Sequence, residues 1–221
     1  MIVFLTTMLW ADPLEHYVQG KQHAQEGRYE QSIESYLRAL EERGADPHIY
    51  WGLGNALYQS GEELPAKIAW IRAQKMQPWN SDIAHNLSAS DLPIEGPMVP
   101  AEYLSWLATV FFLGGLWGWQ RRKDMSIVLF LSFFLFLWFS LRAMENDRIA
   151  YVVSQEVSVR SKPSVTGISL FLLQKGDDFR IIERRSNNYF IERENQKGWI
   201  GGENLLSLNP KDTFFIPEET K

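Results

Sequence analysis

Two uncharged stretches dominate the alternation of apolar and polar positions along this chain. Tyr103–Trp119 reads YLSWLATVFFLGGLWGW and Met125–Leu141 reads MSIVLFLSFFLFLWFSL, 17 residues each. As helices each would be roughly 25 Å long and apolar on every side. The connector Gln120-Arg121-Arg122-Lys123-Asp124 is short enough to force a tight turn. The pattern therefore predicts a two-helix transmembrane hairpin over Tyr103–Leu141, in contact with the lipid bilayer, with Trp106, Trp117, Trp119 and Trp138 toward its ends. The three cations of the connector would stay cytoplasmic and place both flanking regions on the far side. Ile2–Trp10, followed by Ala11, reads as a secretory signal, complete or clipped, over residues 1–11, with a buried first strand or helix as the alternative. Gly114 and Gly118 form a small-xxx-small pair expected to let the hairpin helices pack closely, with docking of a partner helix as the alternative.

Before the hairpin the apolar period is helical and repeats. Residues 13–46 and 47–80 align at a spacing of 34, the length of a tetratricopeptide repeat (TPR). The second copy carries Leu53-Gly54-Asn55-Ala56, Gly61, Ala66, Trp70, Ala73 and Pro78; the first carries Gly20, Gly27, Tyr29, Tyr36 and Ala39, with Ser32 where the motif has alanine. Small residues (Gly20, Gly54, Ala66) mark close helix crossings, and large ones (Tyr29, Tyr36, Trp70) fill the space beside them. Gly27 and Gly61 suit turns that need positive φ. Ser81–Ala89 reads as a capping helix, so a TPR domain is expected over 12–90, followed by a stiff proline-bearing linker over 91–102. The groove of such a stack is lined by the first helix of each pair, here Tyr17, Lys21, Trp51, Asn55 and Tyr58, which become the candidate protein-binding residues. Trp51 and Tyr58 could equally pack between repeats.

After the hairpin the period shortens to two. Ala150–Val153, Val157–Arg160, Ile168–Leu173, Asp178–Arg184, Tyr189–Arg193 and Lys197–Ile200 alternate or are β-branched, with Gly, Asn and Pro between them. The order of motifs (Val157-Ser158-Val159-Arg160-Ser161-Lys162-Pro163, Leu173-Gln174-Lys175-Gly176-Asp177, Lys197-Gly198-Trp199-Ile200) resembles bacterial SH3 domains. That resemblance implies a small β-barrel over 149–208 that binds cell-wall peptides or proteins; Tyr189 and Trp199, with Arg160 as an anion partner, are its candidate surface, and the alternative makes Trp199 core and Arg160 a strand-capping charge. Residues 209–221 lack apolar periodicity and are expected to be a disordered tail.

Charge and composition narrow the chemistry. Residues 12–102 hold 7 Lys+Arg against 14 Asp+Glu and residues 142–221 hold 12 of each, so no basic stripe argues for nucleic acid. The chain has no cysteine, which removes disulfides, thiolate chemistry and Cys-based zinc sites. His16, His23, His48 and His85 occur singly, without ligand-like spacing. No GxSxG, P-loop or HExxH occurs, and Gly52-Leu53-Gly54 lacks the third glycine of a dinucleotide site. The reading is of a protein that is not an enzyme, with no cofactor and no metal.

The order of these modules, signal-like start, TPR pair, two-span hairpin and SH3-like end, resembles BatE-type proteins of bacterial aerotolerance (Bat) operons. The fold class is then multidomain α + β: an N-terminal TPR α-solenoid, a transmembrane hairpin and a C-terminal SH3-like barrel. The resemblance implies a bacterial inner-membrane location, multi-pass, with both domains on the periplasmic side. It also implies partners among other membrane proteins, including von Willebrand factor A domain Bat proteins, and a scaffold role in an envelope-stress complex. The alternative is a peptidoglycan-binding sensor.

Overall fold

The computed structural model describes residues 13–90, 101–119, 123–146, 148–163 and 166–214. The signal-like segment 1–11, residues 91–100 of the expected linker and the arginine pair of the hairpin turn lie outside them. Five helices come first: α1 (Pro13–Gln25), α2 (Tyr29–Arg43), α3 (Pro47–Gln59), α4 (Glu63–Met76) and α5 (Ser81–Ala89). Their boundaries are written in local chemistry. Asp46 caps α3 by accepting from the backbone N–H groups of His48 at 2.9 Å and Ile49 at 3.3 Å, with Pro47 in the first turn. Asn80 does the same for α5 through Asp82 and Ile83. Gly27 and Gly61 take φ of +74° and +90° between paired helices, a conformation that costs residues with a Cβ roughly 1 kcal/mol or more.

Packing inside the repeats follows the small-against-large pattern. A Cβ on Gly20 would lie 2.8 Å from the Tyr36 ring, and one on Gly54 would lie 2.5 Å from the Trp70 indole. Ser32, fully buried, donates from Oγ to the Gly20 carbonyl at 2.8 Å, so the hydroxyl in the alanine position is satisfied across the crossing of α1 and α2.

Two longer helices follow, α6 (Ala101–Trp119) and α7 (Lys123–Asn146). They pack antiparallel: Phe111 stacks on Phe136 with centroids 5.1 Å apart, Phe112 meets Phe133 at 5.1 Å, and Gly115 faces the Phe130 ring. Gly114 faces Leu129 within the same pair; the surroundings of Gly118 are outside the described side chains. The hairpin is therefore real, but its expected role is corrected. Among the described residues no helix is long and apolar enough to cross a membrane. The transmembrane hairpin in the expected fold class, and with it the multi-pass inner-membrane placement, are set aside. Each uncharged run stops at 17 residues, short of the roughly 20 that a 30 Å hydrocarbon layer asks for. Glu102 lies within α6, whose run is diluted by Tyr103, Ser105, Thr109, Gly114 and Gly115, and α7 carries Lys123, Asp124, Arg142 and Glu145. The hairpin's outer faces nonetheless expose Trp106, Leu131 and Phe134.

Seven strands complete the fold: β1 (Ile149–Val152), β2 (Glu156–Arg160), β3 (Ser169–Gln174), β4 (Asp178–Arg185), β5 (Asn188–Arg193), β6 (Gln196–Gly201) and β7 (Leu205–Ser207). They form one antiparallel sheet in the order β3-β2-β6-β5-β4-β1-β7. Its core gathers Val152, Val157, Val159, Leu173, Phe179, Ile191 and Ile200. The seventh strand escaped the sequence pattern because Leu205–Ser207 is buried throughout and shows no alternation. It also carries the sheet to the repeats. Val153, Leu206, Leu208 and Phe214 share a single hydrophobic core with Tyr36, Leu53, Ile68 and Trp70 of the helices.

Candidate functional site

The residues expected in the repeat groove sit on α1 and α3, and the structure divides them. On α1, exposed Lys21 places its ammonium 5.7 Å from the centroid of the Tyr17 ring, and Tyr17 in turn lies 6.0 Å from Tyr36. Tyr36 is buried among these groups, and its hydroxyl is pushed up to about 12 by burial and, secondarily, by Tyr17. On α3, Tyr58 is 41% exposed and packs its ring against Trp70 at 5.5 Å. That ring is anchored on one side and free on the other.

Asn55 is committed internally. Its Oδ1 accepts from Trp70 Nε1 at 3.0 Å and from Asn86 Nδ2 on α5 at 2.7 Å, so it ties α3 to both α4 and α5. Trp51 is half-buried against the core, yet its Nε1 is enclosed without a hydrogen-bond partner. An indole N–H left unpaired costs roughly 1–3 kcal/mol. Tyr17, Lys21 and Tyr58 therefore offer surface, Trp51 offers an unused donor, and Asn55 holds the helices in place.

The second expected surface is also divided. Arg160 and Trp199 are direct neighbours in the pairing of β2 with β6. Trp199 is half-buried, with the Phe190 ring at 5.2 Å and the Arg185 guanidinium 5.2 Å from its centroid. Tyr189 does not join them. It alternates with Phe190 along β5 and is buried at 7% exposure, with the Arg184 guanidinium at 5.4 Å. Burial raises the Tyr189 hydroxyl above its ordinary value despite nearby Arg184.

Sequence reasoning missed the most heavily bonded side chain. Arg72 on α4 is fully buried between the rings of Tyr50 and Phe214, at 5.5 and 5.0 Å. Its Nε and Nη2 donate to the Ser207 carbonyl at 3.0 and 2.8 Å; its Nη1 donates to the Asp212 carbonyl at 2.7 Å and the Tyr50 hydroxyl at 3.1 Å. The Tyr50 hydroxyl donates in turn to the Pro210 carbonyl at 2.9 Å, and Lys75 donates to the Leu208 carbonyl at 2.9 Å. Residues 209–214, expected within a disordered tail, are thus strapped to the repeats. The only sequence signal was a cation set between Ile71 and Ala73 in a helix whose described residues are mostly buried.

Among the described residues no cluster of His, Asp and Glu has the arrangement of a metal site. Comparison with protein families matches residues 20–61 to a TPR repeat, which covers the end of α1, all of α2 and α3, and the turn after it. No curated protein matches the chain. The chain therefore contains a TPR repeat, a type of module that serves protein–protein interaction and is typically non-catalytic.

Proposed function

We propose that this protein binds partner polypeptides through the inner face of its repeats, and that it works by holding them without chemical change to them. The match of residues 20–61 to a TPR repeat carries this reading. Three features support the particular surface. Lys21 and Tyr58 are exposed on the first helices of successive pairs, where an extended chain could touch both. Trp51 holds an indole donor without an acceptor beside them. Asn55, fixed by Trp70 and Asn86, keeps α3 and α5 in register behind them. Selection of displayed peptides on the full chain tests the proposal. Peptides so obtained should lose about tenfold or more in affinity for Tyr58→Ala and Lys21→Glu, the loss typical of anchoring contacts. Unchanged affinity in both variants would rule the inner face out.

A further inference from the structure

The sheet holds a second surface that the repeat match does not touch. β2 and β6 pair only at Arg160 and Trp199. Beside that pair a cleft of about 380 Å³ is lined by Val157, Ser158 and Arg160 of β2 and by Trp199, Ile200 and Gly201 at the end of β6. Its rim carries Lys162 and the half-buried Trp199. Arg160 spends only its Nε, in a 3.3 Å hydrogen bond to Ser158 Oγ, and neither Arg160 nor Lys162 has a carboxylate partner among the described residues. Elsewhere on the sheet Arg184, Arg185, Arg193 and Lys197 are paired with acids, whereas exposed Arg180 on β4 has no ion pair among the described residues.

Glu203, the one carboxylate lining the cleft, is occupied as well. Its two oxygens accept from Asn187 Nδ2 and Asn204 Nδ2, each at 3.2 Å. Two cations without a carboxylate partner among the described residues therefore line this cleft, beside an aromatic plate whose other neighbours are Phe190 and Arg185.

We infer that this cleft binds a short acidic peptide segment, with a carboxylate on Arg160 and Lys162 and an apolar side chain on Trp199. The cleft supplies the place, the two cations select the charge, and the indole face rewards an aromatic or aliphatic neighbour. The site is separate from the repeat groove, so the two surfaces can fail or succeed independently.

The test is isothermal titration of the full chain with an N-acetylated hexapeptide of glutamate and phenylalanine, against the same peptide with lysine for glutamate. The acidic peptide should bind saturably and weaken as salt rises from 50 to 300 mM, and the lysine peptide should not bind. Arg160→Gln and Lys162→Gln should each weaken it about five- to tenfold, the value of one partly solvated charge-assisted bond. Lys162 is exposed, so its variant keeps the test open if Arg160→Gln does not fold. Lys21→Glu in the repeat groove should leave the affinity unchanged. Equal binding of both peptides, no heat at millimolar acidic peptide, or an unchanged constant in a folded Arg160 or Lys162 variant would each overturn the inference.

Discussion

Tyr36 shows how a single side chain joins packing to titration. It fills the space left by two glycines: a Cβ on Gly20 or Gly52 would fall 2.8 or 2.6 Å from it. Burial of that ring raises its hydroxyl from 10.0 to about 12. A raised value in the folded state means that the folded protein holds the proton more tightly than the unfolded chain. The stabilisation is complete below pH 10 and is lost as the pH climbs toward 12. Denaturant midpoints measured between pH 9 and 11.5 should therefore fall, and Tyr36→Phe should fall less steeply, because its ring cannot ionise. Tyr151 and Tyr189, also raised by burial, supply the slope that remains. An identical slope in the variant would remove Tyr36 from this account. Side chains at this scale were partly legible. The pairing of Tyr36 with Gly20 follows from their repeat positions, whereas the commitment of Asn55 to Trp70 and Asn86 could not be read until α4 and α5 were in place.

At the scale of elements, the helix crossings decide stability more than helix propensity does. Gly54 lies inside α3, where alanine would gain roughly 1 kcal/mol in an isolated helix. Its missing Cβ is occupied by Trp70 at 2.5 Å, with the Ala66 carbonyl at 3.1 Å. Gly54→Ala should therefore destabilise the protein, by about 1–3 kcal/mol for overpacking less the propensity gain. Thermal melting should show a lower midpoint, and the Trp70–Asn55 bond makes indole fluorescence a second reporter. A midpoint unchanged or raised would mean that α3 and α4 can part at no cost. Elements were the most legible level: the five repeat helices and six of the seven strands lie where periodicity puts them, because period and capping act over a few residues. The hairpin shows the limit of that logic. Its helices follow from the sequence, but an uncharged run is not the same as a spanning one, and among the described residues neither helix meets the length and apolarity a membrane requires.

In the whole molecule, α4 and the segment after β7 are bound through Arg72, a buried cation satisfied by two carbonyls and a phenol. Burial lowers its affinity for the proton, and the Tyr50 contact opposes that effect. Removing such a donor leaves the Ser207 and Asp212 carbonyls short of partners, at roughly 1–3 kcal/mol each. Arg72→Ala should lower the melting temperature and expose residues 209–214 to protease, while Lys175→Ala, which removes only the partly exposed ion pair with Glu62 at 3.4 Å, should change little. Equal protease resistance in wild type and Arg72→Ala would show that the apolar contact of Phe214 suffices. The sequence by itself determined what neighbouring residues settle among themselves: the 34-residue repeat, the turns at Gly27 and Gly61, the strand alternation and the hairpin. Only the tertiary structure decided which groups were left over. Arg72 became a clasp, Asn55 a brace and Tyr189 an interior residue, while Arg160 and Lys162 have no carboxylate partner among the described residues beside Trp199. The reason is physical: a period reports which face of an element is apolar, but the partners of a polar atom come from distant parts of the chain, as Arg72 and Ser207 do.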